Sequence, residues 1–107
     1  MHLGMYIQSM RFEWDAAKDA INRKKHGIGF EEARTVFSDA EGLLIEDPDH
    51  STAGEERFLL LGMSWRLRVL VVVHCERGSD SDDLLLRIIS ARKASQNETR
   101  QYRGRRT

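Results

Sequence analysis

The stretch Arg57–Glu76, RFLLLGMSWRLRVLVVVHCE, constrains this chain most. It is the longest apolar run, and it breaks at Ser64-Trp65-Arg66. Val69, Val71, Val72 and Val73 are β-branched, which favours a pleated strand over a helix. The run predicts two antiparallel strands about a tight turn. A two-residue loop at Trp65-Arg66 sets Ser64 against Leu67 and Arg57 against His74. Side chains alternate with a period of two. Arg57, Leu59, Leu61 and Met63 then share a face with Arg68, Leu70, Val72 and His74. Phe58, Leu60 and Gly62 share the other with Val69, Val71 and Val73. Both faces are largely apolar, which predicts the middle of a sheet. Its open end gathers Glu55, Arg57, His74 and Glu76, a candidate site for chemistry.

The length of 107 residues suits one domain with a modest core. Charged residues make up 32% and hydrophobic ones 40%, which fits a soluble globular chain rather than a disordered one. No apolar run approaches a membrane span. The opening MHLGMYIQSM lacks a basic region followed by a long apolar one, so no signal peptide is expected. The single cysteine, Cys75, has no partner for an internal disulfide, which fits a reducing cytoplasm. In an apolar strand it reads as an inert buried thiol. Net charge is zero but unevenly spread: Ser38–Glu56 holds seven acids and no Lys or Arg, and Leu84–Thr107 holds seven bases and one acid. The basic end could approach a polyanion, but on charge alone a solvated helix and tail is the favoured reading.

Taken in order, Met1–Met10 reads as an extension, and the organised domain spans residues 11–107. A short strand is expected over Arg11–Trp14. Asp15 is a suitable N-cap for a helix over Ala16–Lys25, with Gly27 beyond its end. Ala17, Ala20, Ile21 and Lys24 share a helical face, a small-residue stripe suited to packing. The basic cluster Arg23-Lys24-Lys25-His26 complements the helix dipole. Phe30, Ala33, Val36 and Phe37 predict a second helix over Phe30–Phe37, facing the core. Leu43–Glu46 reads as a strand ended by Asp47-Pro48-Asp49-His50. Gly78–Asp83 reads as a loop and Leu84–Ala91 as a strand, with Leu84, Leu86, Ile88 and Ser90 on one face and Arg87 on the other. Ser95-Gln96-Asn97-Glu98 is a capping box for a final helix over about Gln96–Arg103, with Glu98 and Tyr102 on one side. The order gives an α+β domain, its N-terminal helices packed on a mostly antiparallel meander, with a C-terminal helix.

Phosphate-loop, dinucleotide, zinc-finger and HExxH patterns are missing, and nothing asks for a metal or cofactor. What remains is a set of Arg, Lys, His and Tyr side chains. That set suits metal-free RNA cleavage, in which the ribose 2′-OH is the nucleophile. Such cleavage needs a base, an acid and cations on the phosphate. Arg57, Arg77 and Arg92 can hold phosphate but make poor bases. His74 and His26 are the best candidates by residue type for moving protons, and Tyr102 and Lys25 are further candidates. Each has a plainer reading: Arg57 and His74 as a cross-strand pair, Arg87 as an ion-paired side chain, Tyr102 as a cover for the sheet.

The segments FEWDAAKDAINRKKHGIGFEEARTVF (Phe12–Phe37), EDPDH (Glu46–His50), GEERFLLLG (Gly54–Gly62) and RIISARKAS (Arg87–Ser95) resemble the BrnT toxin family, in the family's order. The resemblance covers about Phe12–Tyr102. It implies a RelE-like fold and a ribonuclease toxin of a type II toxin-antitoxin system that inhibits translation. It implies a BrnA-type antitoxin partner, a hetero-oligomer with it, and contact with DNA only through that partner. Lys25-His26-Gly27, Arg57, His74 with Arg77, Ser90-Ala91-Arg92-Lys93, and Glu98 with Tyr102 are the matching positions. The extension and the acidic Ser79–Asp83 stretch depart from the pattern; the latter keeps open a folded but inactive toxin. A non-catalytic, antitoxin-binding co-repressor is the rival reading.

Overall fold

A computed structural model describes residues 10–80 and 83–104. The elements run β1 (Met10–Glu13), α1 (Ala16–His26), α2 (Phe30–Thr35), a 3-10 turn (Val36–Ser38), β2 (Leu43–Glu46), a 3-10 turn (Pro48–His50), β3 (Arg57–Met63), β4 (Val69–Asp80), β5 (Asp83–Lys93) and α3 (Gln96–Gly104). One five-stranded sheet has the order β1-β5-β4-β3-β2. Strands β2 to β5 form an antiparallel meander, and β1 joins β5 in parallel. The domain is α+β with a mixed sheet.

Local chemistry explains most element ends. Asp15 caps α1, its Oδ1 accepting from the amides of Ala17 at 2.8 Å and Lys18 at 3.3 Å. Gly27 ends α1 in the left-handed region at φ 73°, and its N–H reaches the Arg23 carbonyl at 2.9 Å. Ser95 and Glu98 close the expected capping box reciprocally, at 2.8 and 3.1 Å.

The core lies between one sheet face and the α1–α2 segment. Ile28, Phe30, Ala33 and Val36 meet Leu60, Leu70, Val72, Ile88 and Ala91, flanked by Phe12, Trp14 and Phe37. Burying such side chains stabilises by about 1.5–3 kcal/mol each for the larger ones. Gly62 permits the close approach of the first 3-10 turn, because a Cβ there would stand 2.8 Å from Val36 Cγ1. On the opposite face α3 covers one end: Tyr102 packs with Leu61 and Val71.

Five expectations change. The hairpin loop has three residues, not two: Met63 pairs with Val69, and Ser64 N–H donates to the Arg68 carbonyl at 2.8 Å. Arg57 therefore faces Cys75, and His74 faces Phe58. A one-residue slip sends each strand's partner set to the other side. Leu67 takes the left-handed position at φ 63°, which glycine usually marks, so local sequence gives no cue. Tertiary bonds fix the turn instead: Ser64 Oγ donates to Glu32 at 2.7 Å and Trp65 N–H to Thr35 Oγ1 at 3.0 Å.

The stripe Ala17, Ala20, Ile21 and Lys24 faces solvent, with Ile21 63% exposed. Asn22 is the buried side chain of α1. Its amide donates to the Ile28 and Ala91 carbonyls, both at 2.8 Å, and accepts from the Ala91 N–H at 3.1 Å. These bonds roll the helix onto its polar side. The second helix stops at Thr35 and tightens into the 3-10 turn. Gly78–Asp80 and Asp83 are strand rather than loop, paired as Gly78–Leu85, Ser79–Leu84 and Asp80–Asp83; residues 81–82 lie outside the described residues. Pairing of β1 with Leu84–Arg87 supports the start of β5 from its other edge. Finally, Ile89 is an unpaired bulge residue between the His74–Ile88 and Val73–Ser90 pairs, which turns Ser90 away from Ile88's face. Of the Met1–Met10 extension, Met10 belongs to β1 and residues 1–9 lie outside the described residues.

Candidate active site

One row of residues crosses four strands: Glu13 pairs with Arg87, Arg87 with Cys75, and Cys75 with Arg57. Paired residues project from the same side of a sheet. This is the face opposite the α1–α2 core. Cys75, fully buried, is the floor of the row. Burial raises its thiol pKa, Glu55 adds to the rise, and Arg77, Arg57 and Arg87 oppose it.

Above the thiol the charges form a chain. Arg57 Nε donates to Glu55 at 3.2 Å. Arg77 lies 3.8 Å from Glu55 and 3.6 Å from Glu13. Arg87 Nη1 donates to Glu13 at 3.0 Å. Arg77 is itself a bulge residue, unpaired between Glu76–Leu86 and Gly78–Leu85, and bulges re-aim side chains. Three guanidinium groups meet two carboxylates, leaving one positive charge in excess. The groups are half-exposed, so a phosphate can compete for them.

Along the same face the next rows are Leu59–Val73–Ser90 and Leu61–Val71–Arg92. At about 3.3 Å per residue, Val71 and Arg92 lie roughly 13 Å from the Cys75 row. Arg92 holds both oxygens of Glu98, at 2.8 and 2.9 Å. That pairing raises the Arg92 pKa and lowers the Glu98 carboxyl to about 2, against the opposing effect of burial. The open face thus has arginines at two ends and half-buried Leu59, Val73 and Ser90 between them.

Arg57 and Arg77 come together on Glu55 at one end of this face, and Arg92 stands at the other. His74 is not on this face: it is 4% exposed on the core side. Its ring sits edge-on to Phe37 at 4.8 Å and stacks on Phe58 at 6.0 Å. Nδ1–H donates to the Val72 carbonyl at 3.2 Å. Burial lowers its pKa, with the Val72 bond opposing, so the ring is held neutral. Lys25 and His26 end α1, in the layer across the sheet from Arg57. Tyr102 is 2% exposed and donates to Asp39 Oδ2 at 2.6 Å, an oxygen that also accepts the Met63 N–H.

The structure adds Glu13 to the charged row, beside Glu55, already expected at this sheet end, and Arg87, expected only as an ion-paired side chain. Asp47 and His50 flank the row: His50 Nδ1 lies 3.0 and 2.9 Å from the two Asp47 oxygens. Asp47 N–H donates to the Arg57 carbonyl at 3.0 Å, extending the β2–β3 pairing by one residue. Ser51 Oγ donates to the Asp47 carbonyl at 2.7 Å and accepts the Arg57 N–H at 2.8 Å. Aspartate three residues before histidine, next to a strand that begins at arginine, was the available signal.

The chain was compared with known proteins. Residues 14–98 match the family model described as the ribonuclease toxin BrnT of type II toxin-antitoxin systems. The fold is similar to the crystal structure of the Brucella abortus ribonuclease toxin BrnT, with 27% identity and a TM-score of 0.56 over 81% of this chain and 99% of that one. No curated protein matches.

Proposed function

Since the chain belongs to the BrnT family of ribonuclease toxins of type II toxin-antitoxin systems, we propose that it cleaves RNA on the open sheet face by attack of the ribose 2′-OH, without a metal ion. The observation that carries this reading is the row Arg57–Cys75–Arg87–Glu13 with Arg77 above it. Arg57 and Arg77 bind the scissile phosphate and stabilise the charge that grows on it. One such preorganised donor contributes about 3–4 kcal/mol. Arg92 holds a neighbouring phosphate of the same strand. The half-buried strip at Leu59, Val73 and Ser90 supports the sugar and base between them. Guanidinium groups bind phosphate in a fixed fork and stay charged throughout.

His74 and Tyr102 act through the fold in this reading, because their polar atoms are turned inward and satisfied. Lys25 and His26 are too far around the domain to share the phosphate with Arg57. The architecture is of the RelE-like kind, a half-open, mostly antiparallel sheet with α1 and α2 on one face and α3 over one end of the other. The partner is a BrnA-type antitoxin that forms a hetero-oligomer with the toxin, covers the basic face and carries the contact with DNA. The toxin works on RNA in the cytoplasm.

Induced expression tests this. Wild type is expected to arrest growth and to lower intact messenger RNA, and Arg57→Ala to do neither while accumulating as folded protein. Equal arrest by both would remove Arg57 from the site. Folded, harmless wild type would favour a non-catalytic co-repressor.

A further inference from the structure

The proposed cleavage needs an acceptor for the 2′-OH proton: arginine is a poor base, His74 is enclosed, and Glu13 and Glu55 are engaged by the arginines. We propose that His50 is the catalytic general base and that Asp47 is its positioning residue; this rests on the RNA-cleavage reading above.

His50 is the histidine whose turn is tied to the strand end that carries Arg57. Its side chain is 69% exposed, whereas that of Asp47 is 15% exposed. Asp47 accepts through both oxygens at Nδ1, which keeps the neutral ring's proton on that nitrogen. Nε2 is then the lone-pair nitrogen. A carboxylate that fixes the tautomer and steadies the imidazolium is the working arrangement of a histidine base. The turn is not loose. Asp47 is tied to the Arg57 carbonyl, His50 N–H donates to the Asp47 carbonyl at 3.3 Å, and Ser51 bridges Asp47 to the Arg57 amide. The backbone that carries the base thus clamps the backbone that carries the phosphate-binding arginine on both of its polar atoms. This fixed relation is what general-base catalysis requires.

Nε2 takes the 2′-OH proton as the 2′-oxygen bonds to phosphorus. The bond from phosphorus to the 5′-oxygen breaks, and that oxygen takes a proton from water. The products are a 2′,3′-cyclic phosphate and a 5′-hydroxyl. Loss of the imidazolium proton to solvent restores the base.

The test measures cleavage of an end-labelled single-stranded RNA by full-length protein. His50→Gln should lower kcat roughly 10²–10⁴-fold, the usual share of a positioned base, with KM changed less than threefold. Asp47→Asn should lower kcat at nearly constant KM. Added imidazole should restore cleavage by His50→Ala but not by Arg57→Ala, an effect that a purely structural turn would not produce. Thermal melts check that each variant is folded. Wild-type cleavage with an unimpaired His50→Gln would overturn the assignment and leave the cleavage reading intact. A His50→Ala variant that is inactive yet not rescued would also overturn it. Wild type that does not cleave would remove the cleavage reading and this assignment with it.

Discussion

Arg92 on β5 grips both carboxylate oxygens of Glu98 on α3, and Glu98 in turn accepts the Ser95 N–H at 2.8 Å. One carboxylate thus joins the sheet's basic face to the first turn of the last helix. Its pKa falls to about 2 from an ordinary 4.5. A depressed carboxyl pKa contributes stability that is fully present above the unfolded value and is lost as pH falls through the folded one. The loss should therefore run from about pH 4.5 down to about 2. Because Arg92 is partly exposed, solvent screening leaves about 1 kcal/mol. Glu98→Gln should lose that much in urea unfolding at pH 7 and show a smaller fall in stability between pH 5 and pH 2.5 than wild type.

Asn22 makes three buried bonds to backbone at 2.8, 2.8 and 3.1 Å. Asn22→Ala would strand the Ala91 amide and two carbonyls. At roughly 1–3 kcal/mol for a buried group left unsatisfied, the variant should lose about 3 kcal/mol or fail to fold. Chemical denaturation of the purified variant measures this.

Tyr102 donates to Asp39 from within the second apolar cluster. Tyr102→Phe keeps the ring packing and removes one charge-assisted bond, worth about 1.5–3 kcal/mol. Melting temperature should fall by several degrees, while RNA cleavage below the melt should stay within threefold of wild type. A loss of cleavage a hundredfold or more in folded Tyr102→Phe would instead put the phenol in the chemistry.

His74 is held neutral by burial between Phe37 and Phe58. A histidine whose folded pKa lies below its unfolded 6.5 binds fewer protons in the native state, so stability declines as pH drops below 6.5. His74→Leu should flatten that decline between pH 7 and pH 5. Stability curves for the two proteins at several pH values check it, and cleavage by the folded variant should persist.

Residues with local signals were legible in the sequence. Asp15, Gly27 and the Ser95–Glu98 box announce helix ends, and the β-branched apolar run broken at Ser64-Trp65-Arg66 announces the central hairpin. Arg57, Arg77 and Arg92 were legible as candidates, and the structure sets all three on the open face. What was hidden depended on contacts far apart in the chain. The hairpin register is set by Glu32 and Thr35 reaching Ser64 and Trp65 across about 30 positions. Leu67 adopts a glycine-like conformation without being glycine. The bulges at Ile89 and Arg77 change which side a residue faces and carry no residue signature. The three-residue hairpin loop put His74 on the core side, away from Arg57, and the Ile89 bulge brought Ser90 to the open face. Asn22 lay unnoticed within a basic helix because its role is to bind backbone, which composition does not reveal.

The most direct test of the account is cleavage of a labelled RNA by purified wild type and Arg57→Ala with excess EDTA present. The account predicts cleavage by wild type alone, leaving 2′,3′-cyclic phosphate ends. Cleavage that stops when EDTA is added, or an Arg57→Ala variant as fast as wild type, would contradict it.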